Sequence, residues 1–110
     1  MAPLVALQDA HAAALRMLAL DGAHEDARCA AALQLGDQAL YPALLQMFAD
    51  PALRNTLARE IDRQPMLAML AMADPQASVR AIALSRLEDM AAVARAALAD
   101  PDAGVRAKAV

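Results

Sequence analysis

Arginine recurs at equal intervals along this chain of 110 residues. It occupies positions Arg28, Arg54, Arg80 and Arg106, so the interval, called the period below, is 26 residues. The heptapeptide DPQASVR, from Asp74 to Arg80, also returns one interval later as DPDAGVR, from Asp100 to Arg106. A fixed internal period is typical of repeat proteins, in which each repeat forms one small unit that packs against its neighbours. The recurrence therefore limits the fold to a stack of similar units.

Apolar residues surround each arginine at helical spacing. The residue before the arginine and those three, four and seven positions after it are apolar wherever the chain reaches them. In the copy around Arg54 they are Leu53, Leu57, Ala58 and Ile61. These offsets place side chains on one face of an α-helix. Each arginine is therefore predicted to lie in the first turn of a helix with a buried face.

The composition, together with the residues at the predicted helix boundaries, predicts an all-α protein. Alanine and leucine fill 32 and 17 positions and aromatic residues are 2%, so helix formers dominate and strand formers are scarce. Aspartates lie where the stripes start or stop, and proline follows Asp50, Asp74 and Asp100, which predicts a helix starting at each proline. The predicted helices are Asp9 to Leu20, Ala23 to Gly36, Gln38 to Ala49 (starting near Tyr41 or Pro42), Pro51 to Ile61, Arg63 to Ala73, Pro75 to Glu88, Met90 to Ala99, and Pro101 onward.

The pattern DPxxxVRxxA at the start of a helical hairpin resembles the HEAT-like repeats, particularly the short bacterial kind. The stretch DPALRNTLAREIDRQPMLAMLAMADP also resembles a leucine-rich variant repeat. The resemblance implies one α-solenoid domain over residues 1–110, with repeats at 21–49, 50–73 and 74–99 and partial repeats at 1–20 and 100–110. The period is shorter than the roughly 40 residues of ordinary HEAT units. The cysteine cluster of some leucine-rich variant proteins is missing, so no iron–sulfur cluster or other cofactor is expected.

Charge and motifs narrow the function classes. A net charge of -3 and a pI near 5.1 argue against nucleic acid as a partner. No uncharged stretch approaches the roughly 20 residues of a membrane span. The lone Cys29 excludes an internal disulfide and favours the cytoplasm. The stretch HEDARC, from His24 to Cys29, matches no metal-site spacing and is interpreted as a polar helix start, and no catalytic residues are recognised, so the chain is predicted not to be an enzyme.

The periodic arginines have two interpretations. In the first they form a structural arginine ladder, in which Arg28, Arg54, Arg80 and Arg106 reach boundary aspartates such as Asp74 or Asp100. In the second they form an exposed basic stripe that grips phosphates or acidic peptides. The acidic balance favours the ladder. Met66, Met69 and Met72 are likewise interpreted as core residues rather than an adaptable binding groove.

The resemblance implies a non-catalytic scaffold or regulatory module that binds another protein on a concave surface. This surface would be lined by the second helix of each hairpin, around Gln38 to Ala49, Arg63 to Ala73 and Met90 to Ala99. The predicted contacts there are Tyr41, Phe48, Arg63, Gln64 and Arg95. Two alternatives are a nucleic-acid-handling protein similar to the HEAT-like DNA glycosylases and a non-catalytic subunit of an enzyme similar to the HEAT-like bilin lyases. Apolar half-repeats near Met1 and Val110 predict either a longer parent protein or pairing with another copy.

Overall fold

The computed structural model of the chain describes residues 4–108, with side chains from residue 9 to residue 107. Within that range the regular structure is helical and no strand is present, which confirms the all-α prediction. Its helices are α1 (Leu4–Asp21), α2 (Glu25–Leu35), α3 (Tyr41–Met47), α4 (Pro51–Arg59), α5 (Gln64–Ala73), α6 (Ala77–Arg86), α7 (Met90–Ala99) and α8 (Ala103–Lys108). The ends at Met1 and Val110, where pairing was predicted, lie outside the described residues.

The described chain forms two compact units that divide between Leu53 and Arg54. The first contains α1, α2, α3 and the first residues of α4, and α1 packs against α2. The second contains the rest of α4 together with α5 to α8, where α5 contacts both α6 and α7 and α8 contacts both α6 and α7. None of the helices described is long and apolar enough to cross a bilayer.

The centres of the apolar stripes on the arginine-bearing helices are buried, as their spacing predicts. The positions three and four after each arginine hold buried residues in every complete copy: Ala31 and Ala32 in α2, Leu57 and Ala58 in α4, Ala83 and Leu84 in α6. Helices α5 and α7 also bury apolar residues at positions that are equivalent by the period. Leu67 and Leu70 of α5 are buried, and so are the residues one period later, Val93 and Ala96 of α7. The period in sequence is therefore also a period in burial.

Proline and aspartate place most of the helix starts, with two differences from expectation. Asp9 was predicted to start the first helix, but α1 begins at Leu4 and runs through Asp9. Helix α3 begins at Tyr41, after a 3₁₀ turn over Gln38–Leu40, so Pro42 sets that start as predicted. Helix α4 begins at Pro51. After Asp74 and Asp100, however, the helices begin at Ala77 and Ala103, two residues beyond the proline. The aspartate carboxylate accepts from the amide two residues on at all three sites, from Ala52, Gln76 and Asp102, so this turn is common to the early and the late helix starts.

Gly36 ends α2 in the left-handed conformation, with φ of 71°. Its amide donates to the carbonyl of Ala32 at 3.0 Å. A side chain at this position would meet no atom within 4 Å, so backbone strain is the only cost that a substitution there introduces.

We therefore expect Gly36→Ala to lower the free energy of unfolding by about 1–2 kcal/mol, the cost of the left-handed conformation for a residue with a Cβ. Gly36→Asn is the matched control and should cost less, because asparagine tolerates this conformation. Urea denaturation followed by circular dichroism measures both. Equal losses for the two variants would contradict the assignment of the cost to backbone strain.

Candidate functional site

Two arginines of the second unit form buried ion pairs with the aspartates that end the next helix along the chain. Arg54 of α4 donates through Nη1 to Asp74 Oδ1 at 2.9 Å and through Nη2 to Asp74 Oδ2 at 2.7 Å. Its Nη1 also donates to Gln76 Oε1 at 2.9 Å. The Arg54 and Asp74 residues are 6% and 7% exposed, so this fork of hydrogen bonds is shielded from water. It joins α4 to the point where α5 ends.

The same arrangement recurs one period later. Arg80 of α6 donates through Nε to Asp100 Oδ2 at 2.8 Å and through Nη2 to Asp100 Oδ1 at 3.2 Å. The hydrogen bond from Arg80 holds the pKa of the Asp100 carboxyl below its usual range, although burial acts in the opposite direction. The bond to Asp100 likewise raises the pKa of Arg80. Both groups are therefore charged at neutral pH.

Each aspartate is also a junction for the backbone. The carbonyl of Asp74 accepts from Arg80 Nη1 at 2.8 Å, and the carbonyl of Asp100 accepts from Arg106 Nη1 at 2.7 Å. Asp74 and Asp100 are the C-cap residues of α5 and α7, whose last carbonyls lack partners inside the helix. One arginine side chain thus binds the end of the preceding helix, and Arg80 binds the carboxylate at the end of the following helix as well.

Arg28 departs from this arrangement. Phe48 stands at the position, relative to Arg28, that aspartate holds in the copies of Arg54 and Arg80. The Arg28 guanidinium lies 5.5 Å from the Phe48 ring centre, a cation–π distance, and donates to the carbonyls of Ala19 and Leu20 at 3.1 and 3.2 Å. The expectation that Arg28 reaches a boundary aspartate therefore fails in the structure, because an aromatic ring occupies the carboxylate's position.

Two of the predicted partner contacts lie in the interior. Tyr41 is 2% exposed and Phe48 is 4% exposed, so the structure buries both rings instead of presenting them at the surface. Tyr41 donates its hydroxyl to the carbonyl of Ala32 at 3.4 Å, and Phe48 packs under the Arg28 guanidinium. Large rings supply more apolar area than any other side chain here, and a core built mostly of alanine and leucine takes them in.

Gln64 also forms hydrogen bonds within the protein. Its side-chain Nε2 donates to the carbonyl of Arg86 at 3.2 Å, and its Oε1 accepts from the amide of Glu88 at 2.9 Å. Both ends of the amide therefore bind the backbone where α6 ends. Glu25 makes the corresponding contact in the first unit, accepting from the amide of Ala49. Gln64 was predicted to contact a partner, and the structure gives it this structural use instead.

The remaining predicted contacts, Arg63 and Arg95, are exposed. Arg63 is the N-cap residue of α5, and Arg95 lies in the middle of α7. Beside them the structure exposes apolar side chains that were interpreted as core: Met69 and Met72 of α5 are 60% and 59% exposed, and only Met66 is partly covered. Leu98 of α7 is 85% exposed. The core interpretation of Met69 and Met72 is therefore wrong.

We call Met69, Met72, Arg95 and Leu98 the second-helix face. Arg95 stands one period after Met69, and Leu98 stands one period after Met72, so the four residues occupy two equivalent positions on α5 and α7. The period could have indicated this surface, because an arginine without a paired carboxylate in one copy favours an exposed position in the other.

In the polar stretch from His24 to Cys29, the side chains of Glu25 and Cys29 make contacts within the protein. Cys29 is buried, and burial together with the nearby Asp26 raises the pKa of its thiol, so the neutral form dominates. The Glu25 carboxylate is bound to the Ala49 amide. Among the residues whose side chains are described, no three histidine, cysteine or acidic groups come together as a metal would require.

A small cleft of about 150 Å³ lies between α6 and α8. Ala81 and Gly104 contribute to its lining. One period earlier their places are taken by Asn55 and Ser78, whose side chains hydrogen-bond to each other at 2.8 Å. One period earlier, the side chains of Asn55 and Ser78 fill the equivalent space. The cleft follows from shorter side chains and contains no feature that selects a ligand.

We expect the removal of one partner from the second buried ion pair to be costly. Arg80→Met and Asp100→Asn should each lower the free energy of unfolding by about 3–5 kcal/mol, because each leaves a buried group unpaired. The double variant should lose less than the sum of the two, since neither charge then remains unpaired. Urea denaturation measures all three. The control Arg95→Met changes an exposed arginine and should stay within about 0.5 kcal/mol of the parent. Additive losses would contradict the pairing.

Acid should weaken this pair in a defined direction. Because Asp100 has a lowered pKa in the folded chain, its contribution to stability is complete above its unfolded pKa of about 3.9 and is lost as the pH falls through the folded value. We expect the free energy of unfolding to drop between about pH 5 and pH 2, and to drop less steeply in Asp100→Asn. Urea titrations at successive pH values test this; identical slopes for both proteins would refute it.

Comparisons with known proteins add no family to this description. A scan against protein-family models, a search of curated proteins and a search of solved structures each found no match. The resemblance to HEAT-like repeats therefore stays a prediction that rests on the repeated heptapeptides and on the equal spacing of the four arginines.

Proposed function

We propose that this chain is a non-catalytic protein-binding module, an α-solenoid of short HEAT-like hairpins that offers its second helices to a partner protein. The observation that carries the proposal is the second-helix face. Met72 and Leu98 are exposed at equivalent positions of α5 and α7, and Met69 is exposed one turn before Met72, while the centres of the apolar stripes on the arginine-bearing helices are buried. Grouped exposed apolar residues mark interaction sites in soluble proteins, and flexible methionine side chains adapt to a partner's shape.

A non-catalytic role is supported by the state of the nucleophilic side chains. The Cys29 thiol is buried and its pKa is raised, which disfavours the reactive thiolate. Ser85 donates its hydroxyl to the carbonyl of Ile82 at 2.7 Å, and Ser78 donates its hydroxyl to Asn55. None of these groups is hydrogen-bonded to a histidine that would activate it. A buried free thiol also fits the proposed location in the cytoplasm.

Phosphate binding by the periodic arginines is the weaker alternative. Arg54 and Arg80 are buried and hold carboxylates through two hydrogen bonds each, so their charges are already neutralised inside the protein. The chain carries a net charge of -3, which opposes a polyanion. A basic stripe would need those guanidiniums at the surface. The exposed apolar side chains of the second-helix face therefore favour protein binding, whereas the buried Arg54 and Arg80 disfavour phosphate binding.

Photo-crosslinking tests the proposed function. A photoreactive amino acid placed at Met72 or at Leu98 should join the tagged chain to a discrete partner in its native cells. The matched control is the same group at Ser85, an exposed position on the arginine-bearing helix α6. We expect adducts at the first two positions and none at Ser85.

The variant Met69→Glu should reduce those adducts at least tenfold, because a carboxylate would be carried into an apolar contact. Its free energy of unfolding should change by less than about 0.5 kcal/mol, since Met69 is exposed. Adducts of equal yield at Met72, Leu98 and Ser85, or adducts that Met69→Glu leaves unchanged, would overturn the proposed function.

A further inference from the structure

The second-helix face combines three apolar side chains with one cation. Helices α5 and α7 contact each other, and neighbouring packed helices lie about 8–10 Å apart. Met69 and Arg95 form one row across the two helices, and Met72 and Leu98 form the next, one helical turn further on. We therefore expect a partner that covers the apolar side chains to cover the guanidinium of Arg95 as well.

Arg95 differs from the periodic arginines in its partners. Ion pairs among the described residues join Arg16 to Asp37, Arg54 to Asp74, and Arg80 to Asp100. The exposed side chain of Arg95 makes no hydrogen bond or ion pair within the described part of the chain. Water solvates its charge in the free protein, and a partner that removes this water without supplying an acceptor leaves a costly unpaired charge.

The relief of the surface indicates the shape of the partner segment. Exposed alanines border the four residues, at Ala73 on α5 and at Ala91, Ala94 and Ala99 on α7. Exposed apolar side chains bordered by small ones are suited to an amphipathic helix, which docks through apolar residues spaced three or four apart. A partner helix can place one further residue of the same face opposite Arg95.

The charges around α7 limit where a partner can place an acidic residue. Glu88 and the N-cap residue Asp89 are exposed at the start of α7, and Asp89 precedes Arg95 by about 9 Å along the helix. A run of acidic residues along the partner would meet these two carboxylates. A single carboxylate at the level of Arg95 avoids them, because it lies beside the cation and more than one helical turn away from both.

We infer that the second-helix face binds an amphipathic helix whose apolar side chains contact Met69, Met72 and Leu98 and whose one central glutamate or aspartate pairs with Arg95. This inference rests on the proposed function and adds the chemistry of the partner. Charge pairing here sets specificity, because the apolar contacts alone would accept many amphipathic helices.

Three stapled helical peptides test the inference directly. They share the same apolar residues and differ only at the central position, which is Glu, Gln or Lys; the staple supplies the helicity that short peptides lack in water. Fluorescence anisotropy with the full chain measures each affinity. We expect the Glu peptide to bind about tenfold more tightly than the Gln peptide, and the Lys peptide to bind weakest.

Variants of the chain then locate the effect. Arg95→Glu should reverse the order, so that the Lys peptide binds most tightly. Arg63→Glu is the matched control, since it makes the same charge change at an exposed arginine at the start of α5, and it should leave the order unchanged. Equal affinities for the three peptides, or the same response to both variants, would overturn the inference.

The two proposals fail in different ways. Equal binding of all peptides that is lost in Met69→Glu would mean that an apolar partner occupies the face, so the inference would fall while the proposed function stood. Absence of binding by every peptide would overturn the inference and leave the proposed function to the crosslinking result. Light scattering of the chain alone completes the test: a dimer that Leu98→Glu disperses would make a second copy the occupant and overturn the inference.

Discussion

The buried ion pairs between periodic arginines and helix-ending aspartates organise the second unit. Each guanidinium leaves water, which is costly unless its nitrogens find acceptors, and this requirement limits where the helix ends can lie. Arg80 satisfies it by binding the carbonyl of Asp74 and the carboxylate of Asp100, so a single side chain connects the ends of α5 and α7. The small alanine and leucine side chains of the core therefore pack between helix ends that are held in register.

Much of the fold could be predicted because its signals are local. The stripe after each arginine, the proline in the third helix and the glycine after α2 each act within one or two turns, and the structure has helices where they predict them. The fates of Gln64 and Tyr41 could not be predicted in the same way. Whether a side chain on a short helix is buried, or bonds to a backbone 22 residues away, depends on packing between helices, which no local pattern encodes.

The candidate site was predicted only in part for the same reason. Three methionines at helical spacing fit a core stripe as well as an exposed one, and the helix of Met69 and Met72 also carries a true core stripe at Leu67 and Leu70. Comparison between copies separates the two stripes: Leu67 and Leu70 are replaced by Val93 and Ala96, whereas Met69 is replaced by Arg95. Substitution within the chain itself thus carries information that periodicity in one helix lacks.

Position in the repeat decides what an arginine does in this protein. On the first helix of a repeat, a guanidinium lies where helix ends converge, and carbonyls with a carboxylate, or with the Phe48 ring in the first unit, bind its charge. On the second helix, Arg95 lies mid-helix, where the backbone groups are bonded to one another and offer it no acceptor. The buried arginines therefore stabilise the fold, whereas the exposed Arg95 forms no ion pair within the described part of the chain.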